Sequence, residues 1–103
     1  MPKFVLAYTG GSMPETEEQQ KAVMDAWMGW FGQLGQAVVD GGAPFAASST
    51  VGPDGGVSAG GASGLSGYSV IEADSLDTAV AQAKGCPVLA AGGNVEVYET
   101  IPM

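Results

Sequence analysis

Between Gly67 and Pro87 the chain reads GYSVIEADSLDTAVAQAKGCP, a strand and a helix that carry their own start and stop signals. Tyr68, Val70 and Glu72 alternate with Ser69, Ile71 and Ala73, the period-2 pattern of a strand with two unlike faces. Asp74 and Ser75 are candidate N-caps, and Asp77 falls in the first turn, where negative charge suits the helix dipole. Leu76, Ala79, Val80 and Ala83 then form an apolar stripe at helical spacing. Lys84 occupies the last turn, Gly85 is predicted to take the left-handed position after the helix, and Pro87 prevents its continuation. A unit so firmly punctuated restricts the fold to those that alternate strand and helix.

A chain of 103 residues makes one domain, covering 1–103, with room for a single shallow core. The formal charge is −8, and Lys3, Lys21 and Lys84 are the entire cation complement. Phosphate contacts need clustered Lys and Arg, so nucleic acid is excluded as a partner, and anionic membrane surfaces with it. A small ligand is expected to be neutral or weakly acidic. The single cysteine, Cys86, rules out an internal disulfide and fits a reducing compartment. It lies at the negative end of a predicted helix, which disfavours a thiolate, so it reads as structural. The opening MPKFVLAYTGG enters a strand pattern at once, so no signal peptide is expected. No apolar run nears the ~20 residues that span a bilayer. A cytoplasmic location is expected.

The first strand is predicted at Lys3 to Thr9, with Phe4, Leu6 and Tyr8 on one face, and Gly10-Gly11 ends it before a polar loop through Pro14. Thr16-Glu17-Glu18-Gln19 forms a capping box. Val23, Trp27, Trp30, Phe31 and Leu34 then recur at spacings of three and four, giving a long amphipathic helix that ends near Gly35. Gly29 and Gly32 inside it are read as making room for the indoles. Ala37 to Asp40 is a short strand broken by Gly41-Gly42, and Phe45 to Val51 resumes an extended run. Gly52-Pro53-Asp54-Gly55-Gly56 is a turn, returning through Val57 to Ala59. A mobile Gly60–Ser66 loop is expected after it. Asn94 to Ile101 gives the last strand.

The order is β-α-β-β-α-β, which predicts an α+β, ferredoxin-like layer: a four-stranded antiparallel sheet with both helices on one face. The other face is left bare within one chain. A second copy of the same sheet is its simplest cover, so a homodimer through the sheet faces is expected.

The segment GYSVIEADSLDTAVAQAKGCP, followed by Gly92-Gly93 and Val95-Glu96-Val97, resembles the C-terminal half of the YCII-related (DGPF-type) proteins, a bacterial family. The opening KFVLAYTG, the Trp-bearing helix and the hairpin FAASSTVGPDGG follow the same pattern more loosely. The resemblance implies a dimeric α+β barrel with a small-molecule site between the first helix and the sheet. It also implies kinship with muconolactone isomerases and chloromuconolactone dehydrochlorinases, and so a simple acid–base isomerase or lyase. Two departures bear on that chemistry. The name-giving Asp-Gly-Pro-Phe is missing from Val57–Ser66, and the family's helix histidine, proposed to act with an Asp near the second strand, has no counterpart because the chain holds no His.

Without His, neither a Ser–His–Asp triad nor a metal site of ordinary spacing can be assembled, and no phosphate-binding glycine motif occurs. No cofactor is expected. Asp40, Asp25, Glu72, Tyr8, Tyr68 and Tyr98 remain for proton chemistry. Asp40, between a strand and a diglycine, is the candidate catalytic base; the commoner role for such a residue is a turn aspartate bonding nearby amides. Tyr8 offers a hydroxyl on the Phe4–Leu6 face. Trp27 and Trp30, with Met24, are the candidate substrate-binding residues, since two indoles together with Met24 and Met28 can wall an apolar pocket; at helical spacing tryptophans more often serve the core. The alternatives to an enzyme are a non-catalytic ligand-binding module that has lost the family's histidine and a protein-interaction module.

Overall fold

A computed structural model describes residues 2–10, 15–61 and 63–102. Strand β1 (Lys3–Thr9) is followed by helix α1 (Glu17–Leu34), a 3-10 turn and strand β2 (Val38–Pro44). Strands β3 (Ser49–Val51) and β4 (Val57–Ala59) form a separate hairpin. Strand β5 (Leu65–Glu72), helix α2 (Leu76–Ala83), a 3-10 turn at Pro87–Leu89 and strand β6 (Asn94–Glu99) complete the chain. The main sheet runs β2-β5-β1-β6, with antiparallel neighbours throughout. This is the ferredoxin-like α+β plan, with the β3–β4 hairpin inserted between β2 and β5.

Local chemistry accounts for the boundaries. Thr16 caps α1, its Oγ1 accepting from the Gln19 amide at 3.1 Å. Gln19 reaches back as a capping box requires, but to the amide of Glu15 at 3.0 Å, one residue earlier than expected. Of the two candidate caps for α2 it is Ser75 that acts, through the Thr78 amide at 3.2 Å. In the β3–β4 turn the Gly55 amide donates to the Gly52 carbonyl at 3.0 Å, with Gly55 at φ +85°.

Register places Phe4 opposite Ile71, Leu6 opposite Ser69 and Tyr8 opposite Gly67 on one face of the sheet. That face is the core, closed by Trp30 from α1, by Ala79 and Ala83 from α2, and by Cys86 and Val88 beyond it. Only the alanine half of the α2 stripe is buried. Leu76 and Val80 are exposed, because two methyl-sized side chains bring the helix close to the sheet along one narrow line. The opposite face carries Val5, Ala7, Tyr68 and Val70 and receives no helix.

Four expectations are corrected. Gly41-Gly42 does not end β2: the strand continues to Pro44 through bulges on both sides of Asp40. Gly29 and Gly32 do not accommodate the indoles, since a Cβ at either would meet nothing within 4 Å. Gly85 makes that accommodation instead, where a Cβ would lie 3.1 and 3.2 Å from the Trp30 ring, and it does not adopt positive φ. The segment from Gly60 is tied to Ser48 by the Gly60 and Gly61 amides, and β5 already begins at Leu65. Ala62 in that segment, and residues 11–14 of the polar loop before α1, lie outside the described residues.

Candidate functional site

Because β2 is an edge strand and bulges, α1 does not seal against that side of the sheet. A cleft of about 480 Å³ opens between them. Met24, Trp27, Met28 and Phe31 line its helix side, at the i, i+3, i+4, i+7 spacing of one helix face. The bulged Gly41–Pro44 stretch lines its edge, and Tyr8 with Ser69 its sheet side. Met24 and Met28 are 64% and 69% exposed, so two flexible thioethers stand at its mouth. Trp27 meets Tyr8 edge to face, with ring centroids 5.1 Å apart, and this contact holds the indole over the phenol.

The bulge that forms the edge depends on Gly42. It sits at φ +76°, and a Cβ there would stand 1.7 Å from the Tyr68 carbonyl oxygen. Asp40 fastens the same bulge by accepting from the Gly42 amide at 2.8 Å.

The polar part of the cleft is a short chain of hydroxyls. Ser69 Oγ donates to the Gly41 carbonyl at 2.7 Å, and Tyr8 Oη donates to Ser69 Oγ at 2.7 Å. Tyr8 and Ser69 are both buried. Burial raises the Tyr8 phenol well above its ordinary range, partly offset by the Ser69 hydrogen bond, while the nearby Cys86 thiol raises it further. Tyr8 is therefore a neutral phenol at any physiological pH. Cys86 is itself pushed up to about 11, chiefly by burial. It is an inert thiol packed behind Tyr8.

The candidate residues separate into two groups. Tyr8, Trp27 and Met24 meet at the cleft. Trp30 is not among its lining residues: it is 4% exposed, locked by its Nε1 donating to the Gln82 carbonyl at 3.1 Å, and borders a different, wider groove beside Lys84–Ala91. Asp40 is also absent from the lining. It pairs with Val70 in register, and Tyr68 Oη donates to its Oδ2 at 3.5 Å, so it stands on the bare face of the sheet as a turn aspartate. Met28, read from the sequence as a second thioether beside Met24, lines the cleft as well; sequence reasoning missed Phe31 and Ser69. Phe31 follows Trp27 by four residues, which is the signal that would have found it. Ser69 pairs with Tyr8 only through a register the sequence does not state. Among the described residues no three of His, Cys, Asp and Glu gather as a metal site, and no helix is long and apolar enough to cross a membrane.

A ferredoxin-like layer with an apolar cleft between its first helix and an edge strand defines an α+β small-domain class. Within that class the chain belongs to the YCII-related family, whose domain model matches residues 4–103. Comparison with curated proteins gives no match.

Proposed function

We propose that this protein binds a small apolar molecule in the cleft between α1 and β2, as a homodimer in the cytoplasm. The observation that carries the reading is the cleft itself. Its volume falls in the ~300–1,000 Å³ range of small-molecule sites, and its lining is mostly apolar with a few convergent hydroxyls. Among the described residues no carboxylate, ammonium or guanidinium side chain lines it, which favours a neutral ligand.

Acid–base turnover of the isomerase or lyase kind, which kinship with muconolactone isomerases and dehydrochlorinases would suggest, has little to work with. The chain holds no His, Asp40 stands on the other sheet face, and Tyr8 is kept protonated. Binding without catalysis is the reading the geometry supports better.

A thermal-stability screen against neutral and weakly acidic metabolites tests it. A ligand at a hundred times its Kd adds about 2.7 kcal/mol, which for a domain this size raises Tm by roughly 10 °C or more. Met28→Gln should weaken every hit and Asp40→Asn should leave affinity unchanged. Hits insensitive to Met28→Gln would place the site elsewhere.

A further inference from the structure

The hydroxyl protons around the cleft can be followed one by one, because two of the acceptors are carbonyls and a third is a carboxylate. Carbonyls and carboxylates only accept, so the direction of each bond is forced. Ser69 has one proton, and the Gly41 carbonyl takes it at 2.7 Å. The bond between Tyr8 and Ser69 must then run from Tyr8, whose one proton goes to Ser69 Oγ at 2.7 Å. Ser66 donates to the backbone carbonyl of Tyr8 at 3.1 Å, and Tyr68 donates to Asp40 on the far side of the sheet. Among the described lining residues, Tyr8, Ser66 and Ser69 have thus each given their proton to the protein, while the Tyr68 hydroxyl is turned to the other face.

What the buried end of the cleft keeps is acceptor capacity. A phenol oxygen has two lone pairs. The Cys86 thiol, which interacts with Tyr8, can fill one at most; Ser69 is fully buried, so its own remaining lone pair is closed to a ligand. The indole N–H of Trp27, on a partly exposed ring, is the remaining side-chain donor among the lining residues.

Resting on the cleft being a ligand site, we propose that its ligand is a neutral, apolar molecule that donates a hydrogen bond to Tyr8 at the buried end, such as a phenol, an arylamine or a pyrrole-type N–H. A carboxylate there would face lone pairs with no cation to offset its charge. An ether or ketone of the same shape would fill the space but leave its own oxygen opposite an acceptor.

Titration with three probes of matched size tests this: 4-ethylphenol, its methyl ether, and 4-ethylbenzoate, followed by calorimetry. The phenol should bind about tenfold more tightly than the ether, the worth of roughly one hydrogen bond, and the benzoate most weakly. Tyr8→Phe should bring phenol and ether to within about twofold. Ser69→Ala returns the Tyr8 proton to the cleft, so the preference should shift toward the ether; this second variant holds the test if Tyr8→Phe does not fold. Trp27→Phe should lower both affinities without narrowing their ratio. Equal binding of phenol and ether to the wild-type protein would overturn the donor requirement while leaving the cleft as a site. Tightest binding of the benzoate would do the same, and silence from all three probes would overturn both.

Discussion

Gly42, Ser69 and Cys86 each carry more than their side-chain size suggests. Gly42→Ala would drive a methyl group into the Tyr68 carbonyl. It should destabilise the protein by more than about 4 kcal/mol, the range reserved for backbone collisions and lost cores, read as a loss of the cooperative melt. Ser69→Ala strands the Gly41 carbonyl and the Tyr8 hydroxyl, and should cost about 1–3 kcal/mol by urea denaturation. Cys86 supplies a pH dependence. Its thiol is pushed from the ordinary 9.0 up to about 11 in the folded chain, so the fold holds the proton more tightly than the unfolded state does. That contribution is complete below about pH 9 and is lost as pH rises through about 11. Tm should therefore fall across that window, with buried Tyr8, likewise raised from its ordinary 10.0, adding to the fall above about pH 10, and Cys86→Ala should lessen the fall between about pH 9 and 10. Little of this was legible in the sequence. Tyr8 was visible as a hydroxyl on an apolar strand face, but its partner is set by register, and Gly42 reads as a strand breaker until the carbonyl beside it is known.

At the scale of elements the N-caps, the turn and both helices followed from the sequence, because each depends on residues within four positions of one another. Thr16, Ser75 and the Gly52–Gly56 turn act as their types require. Errors arose where a distant element decides. Gly29 and Gly32 look like packing glycines beside tryptophans, yet Trp30 is accommodated by Gly85, some fifty positions downstream. The two sites make an opposed pair. Gly32→Ala enters open space on an exposed helix and should stabilise by about 1 kcal/mol. Gly85→Ala should destabilise, because the ring it meets is pinned by the Gln82 carbonyl and cannot retreat without breaking that bond. Thermal melts of the two variants should shift in opposite directions. Asp40 shows the same limit for the site. A strand residue is assigned to one sheet face or the other by a single step of register, and bulges on either side of it erase the count.

The whole molecule is broad and thin, with extents of 43 × 41 × 19 Å. Its radius of gyration is 14.9 Å, against about 13 Å for a compact domain of this length. Two features produce the excess: a sheet with one face bare, and a β3–β4 hairpin whose Val51 and Val57 are 68% and 70% exposed. Burying these by self-association is the proposed remedy, and sedimentation should give twice the chain mass at micromolar concentration. A monomer at that concentration would contradict the paired-sheet arrangement without touching the cleft, which lies on the helix side.

If a small molecule enters between α1 and β2, the two tryptophans respond unequally, although their rings meet edge to face at 5.7 Å and Trp27 also borders the wider groove beside Trp30. Trp27 lines the cleft, whereas Trp30 is buried with its N–H bonded to the Gln82 carbonyl. An NMR titration following the two indole N–H signals as 4-ethylphenol is added reads both at once. The Trp27 signal should move and saturate, with the Trp30 signal following only weakly through the contact between the rings. A Trp30 shift as large as that of Trp27 or larger, which binding in the wider groove would give, or movement of neither, would rule the cleft out.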